Sequence, residues 1–256
     1  MASRKPLMAG NWKMHHNHLE AIQVVQKLSY RLDTKDYDEV EVVVCPPFTA
    51  LRSVQTTIEG DRIEIGLGAQ NCHYETQGAF TGEISPSMLA KLHVQYVIVG
   101  HSERRELFGE TDEIVAKKLR AVLAADMQPI VCVGESLAQR EAGETNTFCT
   151  SQVRTAFANL PADKAARCVV AYEPIWAIGT GRNATPDDAN DTIGVLRSTL
   201  RDIVGATADE MRILYGGSVK PGNAADLMAM PEIDGGLVGG ASLDPDDFAR
   251  IIRYSR

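Results

Sequence analysis

The chain has 256 residues, 44% apolar and 23% charged, a length that suits one large α/β domain or two small ones and a mixture that excludes a disordered or low-complexity protein. Its formal net charge of −8 argues against a non-specific nucleic-acid or membrane surface, so an anionic ligand requires a locally positive site. The five cysteines (Cys45, Cys72, Cys132, Cys149, Cys168) are odd in number and lack a CxxC pair. With no apolar stretch of signal-peptide or membrane-span character, a soluble cytoplasmic protein with reduced core thiols is expected.

Eight short apolar runs follow one another along the chain, at residues 6–12, 40–45, 63–69, 96–99, 129–133, 168–172, 211–215 and 235–238. Between them lie segments with apolar steps of three and four, such as Ile22, Val25, Leu28 and Leu32, or Ile193, Leu196, Leu200 and Ile203, which predict helices. Thr185-Pro186-Asp187-Asp188 supplies an N-cap, a proline at the first helical position and an acidic first turn; Asp244-Pro245 repeats the first two. Strands alternating with helices imply right-handed crossovers and a parallel sheet. Eight such units predict a closed (β/α)8 barrel, with residues 1–256 as a single domain. An open doubly wound sheet is the competing architecture, and it lacks the GxGxxG that would open its first helix. One connection, residues 70–85, is long and carries Phe80, which suggests docking onto a partner subunit.

Chemistry gathers at the ends of these runs. Asn11 and Lys13 lie two apart after the first, so both side chains are expected on one side and Trp12 on the other, with Lys13 as a fixed positive charge. His101 follows the fourth run directly before Ser102, a candidate N-cap. A helix N-terminus there disfavours added positive charge, which predicts a neutral, hydrogen-bond-donating imidazole. Glu103, Arg104 and Arg105 also fit a surface ion-pair set. Glu173 ends the sixth run, where active sites of α/β folds lie, and is the candidate base. The segment beyond it, Pro174, Ile175, Trp176, Ala177, Ile178, Gly179 and Thr180, has the stiff start and glycine-freed far end of a lid, although an ordinary strand-to-helix connection would read similarly. Glycine pairs after the seventh and eighth runs, Gly216-Gly217 before Ser218 and Gly239-Gly240, let backbone N–H groups approach a phosphate. His15, His16 and His18 lack the carboxylate or cysteine partners of a metal site and read as solvated. No metal or cofactor is expected.

In this order, GNWK (10–13), GHSERR (100–105), AYEPIWAIGTG (171–181), YGGS (215–218) and GGLVGGASL (235–243) closely resemble the triosephosphate isomerase family, together with QNC and GAFTGEIS in the long loop and PIVCVGE at the fifth strand. The resemblance spans the chain from the first strand to the eighth. It implies a TIM barrel that interconverts dihydroxyacetone phosphate and D-glyceraldehyde 3-phosphate through an enediol or enediolate, in glycolysis and gluconeogenesis. By that resemblance Glu173 is the base, His101 the neutral electrophile and Lys13 the stabilising cation beside Asn11. Gly179, Ser218, Gly239 and Gly240 are the phosphate cradle. It further implies a homodimer in which Phe80 sits in a docked tip and Thr81 reaches toward the partner subunit's Asn11, while the segment after Lys13, here Met14-His15-His16, is variable in the family and carries no implied interface detail. Two other functions compete. Glu135 and Glu173 both end strands, as the carboxylates of a retaining glycosidase would, though 6% aromatic content disfavours a sugar-stacking cleft. The other is a phosphate-ligand-binding barrel without catalysis.

Overall fold

The apolar runs become strands because both of their faces are covered. In a computed structural model, which describes residues 4–178 and 184–256, the strands are β1 (Leu7–Asn11), β2 (Glu41–Cys45), β3 (Gly66–Ala69), β4 (Tyr96–Val99), β5 (Gln128–Val133), β6 (Val169–Tyr172), β7 (Arg212–Tyr215) and β8 (Gly235–Val238). Each pairs in parallel with the next, and β8 returns to β1, closing a barrel. The architecture is thus the expected (β/α)8 TIM barrel, and the open sheet is excluded. Side chains alternate. Leu7, Ala9, Val43, Cys45, Tyr96, Ile98, Ile130, Cys132, Val169, Ala171, Leu214 and Leu237 fill the interior. Their neighbours, among them Met8, Val42, Val44, Val97, Val131, Val170 and Ile213, pack outward under the helices. All five cysteines are buried and unbridged, with burial pushing the thiols of Cys45, Cys72 and Cys168 up to about 12.

Only the third run shortens appreciably. Residues 63–65 leave the helix Phe48–Asp61, whose end is closed by Arg62 in a left-handed conformation and by the Ile63 N–H donating to the Ile58 carbonyl, so β3 begins at Gly66. Helix starts follow the local signals. Thr185 caps Pro186–Val204 by accepting the Asp188 N–H, and Asp244 caps Pro245–Ile252 by accepting those of Asp246 and Asp247. Asn17 and Glu20 add a reciprocal capping box to His18–Arg31.

Residues 70–85 contain no helix or strand of their own but pack upon themselves. The His73 ring stacks on Tyr74 at 4.4 Å and meets Phe80 at 4.3 Å, and the His73 N–H donates to the Ile84 carbonyl. Phe80 remains 42% exposed and Thr81 is exposed. Two ends of the barrel result. At the N-terminal end, ion pairs plug the base of the strands; at the C-terminal end, the strand exits open on a cavity.

Candidate active site

The sequence supplies β6 with an apolar body and a carboxylate at its exit, and the fold leaves that carboxylate almost no freedom. Glu173 is buried, its N–H donates to the Val133 carbonyl, and the next turn is fixed where the Ile175 N–H donates to the Glu135 carbonyl. Two glycines make the space: a Cβ at Gly134 would lie 1.8 Å from the Glu173 carbonyl oxygen, and one at Gly216 would lie 2.9 Å from Glu173 Cγ. A side chain at Gly134 would collide with the Glu173 backbone, and one at Gly216 would press on the stem of its carboxylate.

The Glu173 carboxylate accepts from the Ser102 backbone N–H (2.9 Å) and hydroxyl (3.3 Å), and its Oε1 lies 2.9 Å from His101 Nε2. Burial raises its pKa, but His101, the Ser102 N–H and Lys13 outweigh burial and hold it below the ordinary carboxylate value. His101 follows β4 as the N-cap of the helix Ser102–Phe108, its Nδ1 accepting the Glu103 N–H at 3.2 Å. That acceptance leaves the ring proton on Nε2, in the neutral tautomer that can donate into the cavity. The helix-end argument for a lowered pKa needs correction, however: burial does lower it, yet the facing Glu173, with help from Glu103, turns the net direction upward.

Lys13 reaches the cavity by a route that strand alternation does not describe. β1 ends at Asn11, Trp12 turns into the outer core, and Lys13 adopts φ +52°, a left-handed conformation uncommon outside glycine. Both sides of this residue are held, its N–H donating to Asn11 Oδ1 (3.1 Å) and its carbonyl accepting from Gln70 Nε2 (2.7 Å). Lys13 Nζ pairs with Glu103 Oε1 at 2.5 Å.

These groups line one cavity of about 360 Å3. Asn11, Lys13, His101 and Glu173 line it together with Ser218, Gly239 and Gly240, and a Cβ at Gly239 would lie 3.7 Å from Lys13 Cε. Of the lid residues, Ile178 lines the cavity, whereas Pro174, Ile175, Trp176 and Ala177 do not; Gly179 and Thr180 lie outside the described residues. Phe80 and Thr81 lie on the long loop, away from the cavity lining.

Several contributors escaped the sequence reading. Ser102 holds Glu173; the sequence marked it only as a candidate N-cap, a place that His101 takes, leaving Ser102 as the first helical residue. Glu103 pairs with Lys13, and Lys220 brings a further cation to the cavity lining, a lysine directly following the Gly216 to Val219 turn. The GHSERR arginines are not a surface set. Arg105 braces the Gly100 and Cys132 carbonyls and Asp112, while Arg104 joins the buried Glu110, which also binds Lys118. Nor is His16 solvated like the exposed His15 and His18: its ring meets Trp12 edge-on at 5.2 Å with Nε2 buried. Among the described residues no group of three or more metal-ligating side chains occurs, and no helix is long and apolar enough to cross a membrane.

Glu135 does not share the cavity. Fully buried, it accepts from Trp176 Nε1 (2.9 Å) and the Tyr172 hydroxyl (3.1 Å), so the pair of carboxylates that a glycosidase needs does not face a common cleft.

Comparison with known proteins agrees with this geometry. The family profile described as triosephosphate isomerase matches residues 6–255. A triosephosphate isomerase of Streptomyces avermitilis is 54% identical over 255 residues, covering 99% of each chain. One from a Roseiflexus species is 54% identical over 252 residues, covering 98% of each. That of Mycobacterium avium is 50% identical over 250 residues, covering 97% of this chain and 96% of its own.

Proposed function

From the premise that the chain belongs to the triosephosphate isomerase family, we propose that it interconverts dihydroxyacetone phosphate and D-glyceraldehyde 3-phosphate by proton transfer, a step of glycolysis and gluconeogenesis. The observation that carries this reading is the convergence of Glu173, His101 and Lys13 on one cavity that Ser218, Gly239 and Gly240 also line.

The proton α to a carbonyl is only weakly acidic, so its removal needs a base and a place for the charge that develops on oxygen. Glu173 is the base. It takes the proton from one carbon and returns it to the other, after exchanging its bonds to Ser102 for contact with substrate. His101 donates Nε2–H to the carbonyl oxygen, and Lys13 Nζ steadies the enediolate, with Asn11 beside it. Backbone N–H groups of Gly239, Gly240 and Ser218 receive the phosphate, and Gly179, outside the described residues, is assigned to the same cradle. The segment 174–180 covers the reacting carbons and excludes water, which strengthens each of these interactions. The reaction is redox-neutral and moves only protons, so its balance requires no cofactor.

Residues 1–256 are taken as one domain acting as a cytoplasmic homodimer, without nucleic-acid or membrane partners. Exposed apolar side chains on two loops support the dimer: Met14 after β1, 94% exposed, and Phe80 on the long loop, with Gln70 tying the base of one loop to the other. Shortening the loop around Phe80 and Thr81 is expected to give a monomer with turnover lowered about a hundredfold. Light scattering coupled to the assay checks this, and a fully active monomer refutes it.

The test of the activity is isomerisation of D-glyceraldehyde 3-phosphate, with chelator present, by wild type and Glu173→Gln side by side. A rapid wild-type rate and a folded variant slower by about 10²- to 10⁴-fold establish both the reaction and its base. Two equally slow proteins would instead support the phosphate-binding barrel without catalysis.

A further inference from the structure

Arg140 lies outside the cavity, on the short helix Leu137–Glu141 that follows β5, yet its guanidinium touches both ends of the connection that carries the proposed base. Its Cζ sits 4.4 Å from the centre of the Trp176 ring, three residues beyond Glu173. Nη2 lies 3.1 Å from Asp188 Oδ1, in the first turn of the helix Pro186–Val204 where that connection ends. Nη1 lies 3.5 Å from Oε1 of Glu135, the same oxygen that accepts the Trp176 and Tyr172 hydrogen bonds.

We propose that Arg140 is a positioning residue for Glu173: it clamps the exit of β6 against the start of the helix Pro186–Val204, and so sets where the carboxylate is presented. The inference rests on the isomerase reading above. Three observations favour it over incidental surface pairing. First, Glu135 is fully buried, and Arg140 is the cation within ion-pair distance of it among the described residues, so this contact neutralises a charge that solvent does not reach. Second, Arg140 is itself fixed at its base. Its helix begins with a reciprocal capping box between Ser136 and Gln139, and the same turn of chain supplies the Glu135 carbonyl that accepts the Ile175 N–H. Third, the three contacts need a flat, delocalised cation: one face stacks on indole while the edge nitrogens reach two carboxylates, which an ammonium cannot reproduce. The Arg140–Asp188 pair alone would carry little, since the Asp188 side chain is 44% exposed. Its part is directional, because it joins the far end of the connection to the near one.

The experiment compares wild type, Arg140→Met, Arg140→Lys, Asp188→Asn and the Arg140→Met/Asp188→Asn pair. Readouts are kcat and KM, the melting temperature, and indole emission, with Trp176→Phe assigning the emission of the two tryptophans. Expected for Arg140→Met is a folded protein whose kcat falls about ten- to a hundredfold, KM within threefold of wild type, and a shifted Trp176 emission. Arg140→Lys should recover little of this, and the double variant should lose less than the product of the single losses. A kcat within twofold of wild type in Arg140→Met, or full recovery by lysine, would overturn the proposal. An inactive wild type would defeat the isomerase reading, while an unchanged Trp176 emission in Arg140→Met would separately remove the clamp.

Discussion

The two ends of the barrel treat buried charge in opposite ways. At the N-terminal end donors and acceptors cancel. Arg197 uses Nε and both terminal nitrogens on Glu232, Asp234 and the carbonyls of Ala208, Met211 and Glu232. Asp234 in turn receives Arg4 and the Ile213 N–H, and nearby Tyr96, Glu41 and Arg212 close a triangle of hydrogen bonds at the feet of β4, β2 and β7. At the C-terminal end Glu135 and Arg105 are likewise paired, but the cation that faces the cavity keeps capacity in reserve. Lys13 Nζ has three protons and makes one hydrogen bond among the described residues. Saturation is what a buried charge needs in order to stabilise; spare valence facing a cavity is what it needs in order to act. The contrast predicts that substitutions at the two ends separate turnover from stability.

The sharpest separation is at Glu173. Removing its charge while keeping its shape, Glu173→Gln, should cut kcat by about 10²- to 10⁴-fold and leave the melting temperature within a few degrees of wild type. The amide retains an acceptor for Ser102 and no longer buries a charge. A collapse of stability comparable to the loss of rate would erase the distinction between the two ends.

The converse is expected at Arg197. In Arg197→Met, Asp234 stays buried having lost one of its two arginine partners, and breaking a buried pair typically costs about 3–5 kcal/mol. Urea unfolding should register that cost, while kcat of the protein that remains folded should stay within about twofold of wild type, since nothing at that end reaches the cavity. A variant that unfolds normally but turns over slowly would join the two ends energetically and break the comparison.

How much of this was legible in the sequence follows from the range of each interaction. A strand buried on both faces must be apolar at every position, so eight runs announced eight strands, and local caps such as Thr185 and Asp244 announced helices. That Asn11, Lys13, His101, Glu173, Ser218, Gly239 and Gly240 share one cavity could be anticipated because each ends a strand or follows one, and closing the barrel brings all such ends to one rim. What periodicity cannot report is a partner far along the chain. Ser102 meets Glu173 across 71 positions and Lys13 meets Glu103 across 90, and no local pattern marks either pairing. The GHSERR arginines were misjudged for the same reason, because their partners at Cys132 and Glu110 become visible only in the fold. His16 was misjudged because its left-handed backbone, φ +66°, folds a polar residue back against Trp12.

The smallest effect concerns pH at the closed end. Asp36, buried at the start of the segment leading into β2, receives Arg253 through Nε and Nη2 and lies 3.0 Å from Arg256 Nη1. Burial pushes its pKa up, but the Arg253 hydrogen bonds and the Asp33 N-cap contact prevail, so the folded-state value lies below the ordinary 3.8. The sign follows from linkage: a carboxyl with a depressed folded pKa stabilises above the unfolded value and loses that contribution as pH falls through the folded one. Asp36→Asn should therefore be less stable than wild type at pH 6, by about 1–3 kcal/mol as expected for hydrogen bonds to a charged group. Below pH 3.8 the gap should narrow as wild-type Asp36 takes up its proton, whereas kcat at pH 7 should be unaffected. Urea titrations of both proteins at pH 6 and pH 3 decide the matter. A gap that stays constant across that window would mean that Asp36 acts by shape and neutral hydrogen bonding alone, and that charge saturation at the closed end is carried by Arg197 and Asp234.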